Sequence, residues 1–286
     1  MKLTKGEKIF NLFNIVVLSG VLLVTLYPFY YTLIASISDG LAIIQGKVIL
    51  YPVKPTFKAY LKILEIDGFF RAYANTIYIT VMGTAVQMVV TTMGAYSLSR
   101  KRLVGRKFFN IFISFTMWFS AGMIPMYLNF DNLNLINSFW GVILGWAVNT
   151  FYFIIMRTFF EGLPSELEDA AKIDGMGNFG TFLKVMLPIS TPCLATITLY
   201  YGVDRWNGYF WSMLLLKKKE LIPLQVLLKK IIVEMRALTE IQTSTDFTNE
   251  SIVYALVIVA IIPVIIVYPY AQRFFIKGIT VGAVKG

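Results

Sequence analysis

An all-α integral membrane protein with six transmembrane helices is the fold class this sequence predicts, on three observations. The 286-residue chain is 57% hydrophobic, with a mean hydropathy of +0.68. Charged residues make up 15% of it, against about 25% in soluble chains. The apolar residues are gathered into runs with few charges, near the ~20 residues that carry a helix across the hydrocarbon core. Such runs become helices in lipid because no water is present to bond backbone N–H and C=O groups, and a helix satisfies its own.

The runs fall at 13–37, 76–98, 108–128, 139–159, 194–215 and 252–275. Lys2, Lys5 and Lys8 precede the first, as in the charged start of a secretory leader. A leader's apolar region is only about 7–15 residues. This run is longer and ends without a small-residue cleavage site, so it is expected to remain as a span. Arg100, Lys101, Arg102, Arg106 and Lys107 crowd the second-to-third connection, whereas 131–134 carries no base. Arg273 stands at the end of the last run, and Lys277 and Lys285 follow it. The bias of basic residues toward cytoplasmic loops then puts both termini and the 99–107 loop inside, and the longer segments 39–75 and 217–250 outside. No internal repeat, low-complexity tract or second soluble domain is visible, so 1–286 reads as one transmembrane domain.

Several function classes are excluded. The net charge of +10 does not indicate nucleic acid, because the bases sit in short clusters between apolar runs, where a membrane topology needs them. Cys193 is the only cysteine and His is absent. A disulfide framework within the chain, zinc sites and His-based acid–base chemistry are therefore unavailable.

One connection is neither short nor basic. Between the fourth and fifth runs, Leu163-Pro164 closes one element, and Ser165 with Glu168 three residues on has the spacing of a capping box that opens a short helix. Gly175 is placed to end that helix in a left-handed cap. Phe179, Phe182, Leu183 and Met186 then recur at helical spacing, and Pro188 is expected to stop this second helix. Asp174, unfavourable in a last turn, is expected to cap the next helix or bond across the turn. The result is a helix–turn–helix over 163–188 too small to bury its own apolar stripe, which implies a partner surface. Gly175-Met176-Gly177-Asn178-Phe179-Gly180 also satisfies the dinucleotide fingerprint G-x-G-x-x-G, but a charged helix precedes it where an apolar strand is required. The nearest Walker A candidate, Gly40 to Gly46-Lys47, has the wrong spacing and Val48 where Ser or Thr is needed.

Asp169-Ala170-Ala171, three residues, Gly175, nine residues, then Val185-Met186-Leu187-Pro188 resembles the EAA loop of binding-protein-dependent (ABC) importer permeases. That pattern is Glu-Ala-Ala, three residues, Gly, nine residues, Ile-x-Leu-Pro. Asp169 stands for Glu and Val185 for Ile, each keeping charge or shape. The resemblance implies a type I ABC importer permease fold with a cytoplasmic coupling helix, and an ATPase-coupling set of Glu168, Asp169, Ala170, Ala171, Asp174, Gly175, Leu187 and Pro188. It implies a second homologous permease chain, two ATP-binding cassette subunits that hold ATP and Mg, and an extracytoplasmic solute-binding protein, all at a bacterial cytoplasmic membrane. No cofactor would be bound by this chain and no covalent chemistry would occur in it. Trp206-Asn207-Gly208-Tyr209-Phe210-Trp211, continuing to Leu221-Ile222-Pro223-Leu224-Gln225, resembles the carbohydrate branch of these permeases. So do Tyr268-Pro269-Tyr270, Phe274 to Gly278 and Gly282 to Gly286, most closely the LplC-like oligosaccharide subgroup. A sugar, as an oligosaccharide cut from a polysaccharide, is the substrate this implies. A permease for a non-sugar solute, an ion-coupled secondary transporter and a membrane scaffold are the alternatives.

Flat aromatic rings stack on the C–H faces of pyranoses, and amides and hydroxyls bond their oxygens. The substrate-path candidates are Trp118, Tyr127, Trp146, Asn149, Tyr152, Asp204, Arg205, Trp206, Asn207 and Trp211. Trp146, Asn149 and Tyr152 recur at i, i+3 and i+6, which would keep them near one helix side. Any of these aromatics could equally serve helix packing or an interfacial belt. Asp204 and Arg205 fall about ten residues into the fifth run, where a charge costs at least ~2.5–3.5 kcal/mol. Adjacent residues on a helix point apart, so each needs its own partner, in a structural ion pair or along a path. Arg157 is expected to snorkel to the cytoplasmic interface.

Overall fold

A computed structural model describes residues 4–241 and 248–283, with side chains described at 4–234 and 250–270. Every regular element among them is helical. In chain order these are α1 Lys5–Ser36, α2 Gly40–Ile44, α3 Lys58–Glu65, α4 Phe69–Ser99, α5 Arg106–Trp118, α6 Met123–Asn132, α7 Phe139–Gly145 and α8 Thr150–Glu161. They continue as α9 Glu166–Ile173, α10 Asn178–Thr181, a π turn Phe182–Met186, α11 Leu187–Ile189, α12 Thr191–Asn207, α13 Phe210–Leu215, a 3-10 turn Lys219–Leu221, α14 Leu224–Ile241 and α15 Thr248–Ala283.

Three helices are long and apolar enough to cross a membrane unaided: Lys5–Ser36, Phe69–Ser99 and Glu250–Tyr270. Three further apolar stretches are bent pairs. α5 and α6 meet at 116°, α7 and α8 at 49°, and Asn178–Ile189 meets α12 at 82°. Counting each bent pair as one crossing allows up to six. The boundaries differ from the sequence expectation in kind as well as in residue number. α4 begins at Phe69 rather than 76, and the expected run 194–215 is broken at Gly208-Tyr209 between α12 and α13. The side chains of Arg273 and Lys277, the segment 242–247, and Val284, Lys285 and Gly286 lie outside the described residues.

The chain divides into two compact units, Met1–Phe69 with Leu228–Ile262, and Phe70–Leu227 with Pro263–Gly286. In the first, a capping box opens α1. Glu7 N–H donates to Thr4 Oγ1 at 3.3 Å and Thr4 N–H to Glu7 Oε2 at 2.7 Å, so two orphan donors are satisfied reciprocally. Ile34, Ala35, Ala42, Ile43 and Val48 form its core, with Tyr31, Val53 and Tyr254 packed around them. In the second unit one cluster joins Ala95, Tyr96, Leu98, Phe153, Met156, Phe160, Phe182, Met186, Ile197 and Tyr201. Another joins Ile79, Phe130, Val142, Leu215 and Leu216. The first of these anchors the 163–188 segment, and the second contributes Ile79 and Val142 to the lining of the cavity described below.

Candidate transport cavity and coupling segment

The cavity is built where two helices stop. α7 ends at Gly145, with Trp146 as its C-cap, and α8 starts after Asn149, whose Oδ1 accepts the backbone N–H groups of Phe151 at 3.0 Å and Tyr152 at 3.3 Å. An Asn cap of this kind satisfies donors that would otherwise be orphaned at a helix start. The expectation that Trp146, Asn149 and Tyr152 share one side of a continuous helix is therefore corrected. The first two are caps on either side of a break, and only Tyr152 lies within a helix.

Capping also explains Arg205. The last carbonyls of a helix have no partner within it. Arg205 donates from Nη1 to Val142 O at 2.6 Å and from Nη2 to Ile143 O and Trp146 O, each at 2.9 Å. Its Nε donates to Gln87 Oε1 at 3.0 Å, and Gln87 Nε2 donates in turn to Trp146 O at 2.8 Å. Arg205 is buried, at 8% exposure. A fixed cation at the negative end of α7 also complements the helix dipole. Neither sequence expectation for Arg205, an ion pair or a path residue, anticipated a cluster of backbone carbonyls. The guanidinium lies so close over α4 that a Cβ on Gly83 would sit 2.8 Å from Arg205 Nε.

Asp204 points elsewhere, as adjacency on a helix requires. Its Oδ2 accepts the Tyr152 hydroxyl at 2.9 Å, and the residue is exposed. A cavity of about 360 Å³ is lined by Trp146, Asn149, Asp204, Arg205, Asn207 and Trp211, while Tyr152 touches it only through Asp204. Trp146 and Trp211 lie 5.0 Å apart, and Phe130 stacks on Trp146 at 5.6 Å.

The remaining path candidates are not brought there. Trp118 ends α5 at 88% exposure. Tyr127 accepts a hydrogen bond from Lys217 Nζ at 2.7 Å. Trp206 is buried and meets Tyr73 edge-on at 5.8 Å. Sequence reasoning missed Gln87, whose signal was an amide in the middle of an apolar run, and Tyr209, Phe210 and Ser212, which line the cavity from the break before α13.

The second site is the 163–188 segment. α9 ends in a Schellman motif. Gly175 N–H donates to Lys172 O and Met176 N–H to Ala171 O, both at 2.9 Å, while Gly175 takes φ +76°. Gly175 thus has the left-handed conformation its position predicted. The expected capping box is absent. Ser165 lies in the helical region at φ −66°, ψ −27° with no side-chain cap bond, because Glu168 is turned inward and buried. Asp174 is the C-cap of α9, and the next helix begins after Gly177 rather than after an Asp174 cap.

Pro188 does not stop the second helix. Leu187 N–H bonds to Phe182 O across a π turn, helical backbone continues to Ile189, and the chain bends only at Ser190. The wider turn tolerates a residue with no N–H and a bulky ring. Of the apolar stripe, Phe182 and Met186 are buried in the chain's own core, while Phe179 and Leu183 stay exposed. The two coupling alanines also separate. Ala171 is buried at 3% exposure whereas Ala170 is exposed. The outward face of α9 is therefore Ala170 with Ile173, which is 87% exposed. Arg157 is held by two neighbours at the end of α8. Its Nη1 donates to Asn110 Oδ1 at 2.8 Å, and its Nε lies 3.5 Å from Glu161 Oε1.

Apolar helices, a cavity lined by aromatic and polar groups, and a short helix–turn–helix with an exposed apolar edge define a multi-pass membrane permease subunit. The chain belongs to the family described as "Binding-protein-dependent transport system inner membrane component", which matches residues 65–281. It is 38% identical over 268 residues to the polygalacturonan/rhamnogalacturonan transport system permease protein YtcP of Bacillus subtilis (strain 168), covering 92% of this chain and 94% of that one. It is 36% identical over 290 residues to protein LplC of the same strain, covering 99% and 97%. Its fold matches a chain of a bacterial ABC transporter involved in the import of the acidic polysaccharide alginate. The TM-score is 0.87 at 42% identity, over 96% of this chain and 99% of that one. The fold is that of a type I ABC importer permease. The chain is a transport subunit and not an enzyme, with ATP hydrolysis carried by separate subunits of the importer.

Proposed function

We propose that this permease subunit imports oligosaccharides released from a polysaccharide, and that the cavity between the α7–α8 break and α13 forms part of their path. The observation that carries the proposal is the set of groups converging there. Trp146 and Trp211 offer ring faces for pyranose C–H surfaces, and Asp204 and Asn207 offer acceptors for hydroxyls. The names of the relatives support this reading, since they concern transport of polygalacturonan, rhamnogalacturonan and alginate.

In this reading the chain crosses the membrane six times with both termini in the cytoplasm. It pairs with a second homologous permease, two ATPase subunits that hold ATP and Mg, and an extracytoplasmic binding protein. ATP binding closes the motor, the exposed edge of Ala170, Ile173, Phe179 and Leu183 transmits the movement, and the cavity turns outward to receive sugar. No ion gradient is required.

Uptake of an oligogalacturonide by the reconstituted complex should require ATP and the binding protein and should survive collapse of ion gradients. Uptake driven by a gradient without ATP would refute the assignment. Trp211→Ala should lower uptake efficiency roughly two- to tenfold, the equivalent of the ~0.5–1.5 kcal/mol an aromatic contact supplies. An unchanged value would remove Trp211 from the path. Reporters fused after Leu103 should read cytoplasmic, and those at Asn132 or Ala237 external. The opposite pattern would put the coupling segment on the wrong side.

A further inference from the structure

The buried carboxylate of α9 is held at one end of α4. Glu168 is 7% exposed and lies on the face of α9 opposite Ala170 and Ile173. It accepts the Tyr96 hydroxyl at 2.7 Å and is ion-paired with Arg100 Nη1 at 3.0 Å, with Arg102 Nη1 at 4.0 Å. Arg100 is itself fixed. Its Nη2 donates to Phe160 O at 2.8 Å, its Nε to Ser99 Oγ at 2.9 Å, and its Cζ sits 4.8 Å above the Tyr96 ring. The second arm of the segment reaches the same residue, since Phe182 packs on Tyr96 with ring centroids 4.9 Å apart.

We infer that Tyr96, Arg100 and Glu168 form the joint through which displacement of the coupling segment reaches the wall of the cavity. The inference rests on the reading that 163–188 docks on the ATPase. A joint that transmits movement must hold its geometry against water. Exposed pairs such as Asp169–Lys172 exchange with solvent and fix little. A buried, fully bonded network specifies one arrangement. Tyr96 stands on α4, the one helix that carries Gln87 and Ile79 into the cavity, and Arg100 directly follows its last residue, Ser99. Nine residues of α-helix separate Tyr96 from Gln87, about 14 Å at ~1.5 Å per residue. Pushing or rotating α9 therefore moves the end of α4, and α4 delivers the movement to the Gln87–Arg205 cap as a rigid rod. Glu168, read from sequence as part of the docking face, acts as a positioning residue on the opposite side.

The test uses the whole complex in vesicles, with substrate uptake and ATP hydrolysis measured together and with a cysteine at position 170 for crosslinking to the ATPase. Tyr96→Phe removes one oxygen and keeps the ring. Its membrane level, crosslink and ATP hydrolysis should match the parent, while substrate moved per ATP falls on the order of five- to tenfold, the range of ordinary coupling between sites. Glu168→Gln should keep the crosslink and show the same loss, and the double variant should be no worse than the stronger single one. An unchanged ratio in both variants overturns the joint. So does loss of the crosslink in Glu168→Gln while Tyr96→Phe transports normally, which would mark Glu168 as a support for α9 alone. A parent that fails to crosslink at position 170 refutes the docking reading itself, and is told apart because it fails before any joint residue is changed.

Discussion

Replacing Arg205 by methionine should abolish accumulation of the folded permease rather than merely slow transport. The guanidinium satisfies Val142 O, Ile143 O, Trp146 O and Gln87 Oε1. Methionine fills a similar volume and offers no donor. At the ~0.6 kcal/mol average for side-chain bonds measured inside a membrane, four bonds amount to about 2.4 kcal/mol. A buried acceptor left with no donor costs roughly 1–3 kcal/mol, so orphaning both Val142 O and Ile143 O would raise the upper estimate to about 6 kcal/mol. Against a total of roughly 5–15 kcal/mol, that removes a large share of the stability and, at the lower end of the range, all of it.

Arg205→Lys should be intermediate, because an ammonium retains the charge but not the planar fork that reaches several carbonyls at once. Gly83→Ala is the independent control. It leaves Arg205 in place and pushes on its Nε, so it should reproduce the defect in milder form. Membrane level and detergent thermal stability are the measurements. Wild-type levels of Arg205→Met with a selective loss of substrate-stimulated ATP hydrolysis would refute the capping role and return Arg205 to the path.

How much of this was legible in the sequence depends on the range of the interaction. The positive φ at Gly175 was readable because it is set by local backbone sterics: a short helix must end somewhere, and glycine is the residue that turns left-handed without strain. The all-helical membrane fold was readable because lipid leaves the backbone almost no choice. The breaks inside the apolar runs were not. Residues 146–149 are as apolar as their neighbours apart from Asn149, and hydropathy does not register that one amide side chain caps a new helix.

The same limit governed Glu168. Its spacing from Ser165 is that of a capping box, a local interaction, but the carboxylate has stronger partners 68 and 72 residues away in Arg100 and Tyr96. A sequence window cannot weigh a charge-assisted bond to another helix against a cap within one turn. Arg205 failed for a related reason. Its partners are backbone carbonyls, which carry no residue identity to search for, and only Gln87 marked the place.

Gly175→Val should leave the permease in the membrane and disconnect it from its ATPase. At φ +76° a non-glycine residue costs roughly 1–2 kcal/mol, and a β-branched one is disfavoured further. Space is not the obstacle, since a Cβ at Gly175 would meet nothing within 4 Å. The strain is relieved when the backbone leaves the left-handed region, which breaks the Gly175-to-Lys172 and Met176-to-Ala171 bonds and reorients α9 relative to α10. Membrane insertion does not depend on this turn, so membrane level should stay near that of the parent. Because Ala171 is buried and Ala170 is exposed, the informative cysteines are at Ala170 and Ile173. Their crosslinks to the ATPase should form in the parent and fade in Gly175→Val, with ATP-driven uptake lost alongside. Gly175→Asn should be milder, because a short polar side chain tolerates the left-handed region better than valine does. If Gly175→Val transports at the parental rate, the turn does not orient a docking helix, and the segment 163–188 has to be given another role.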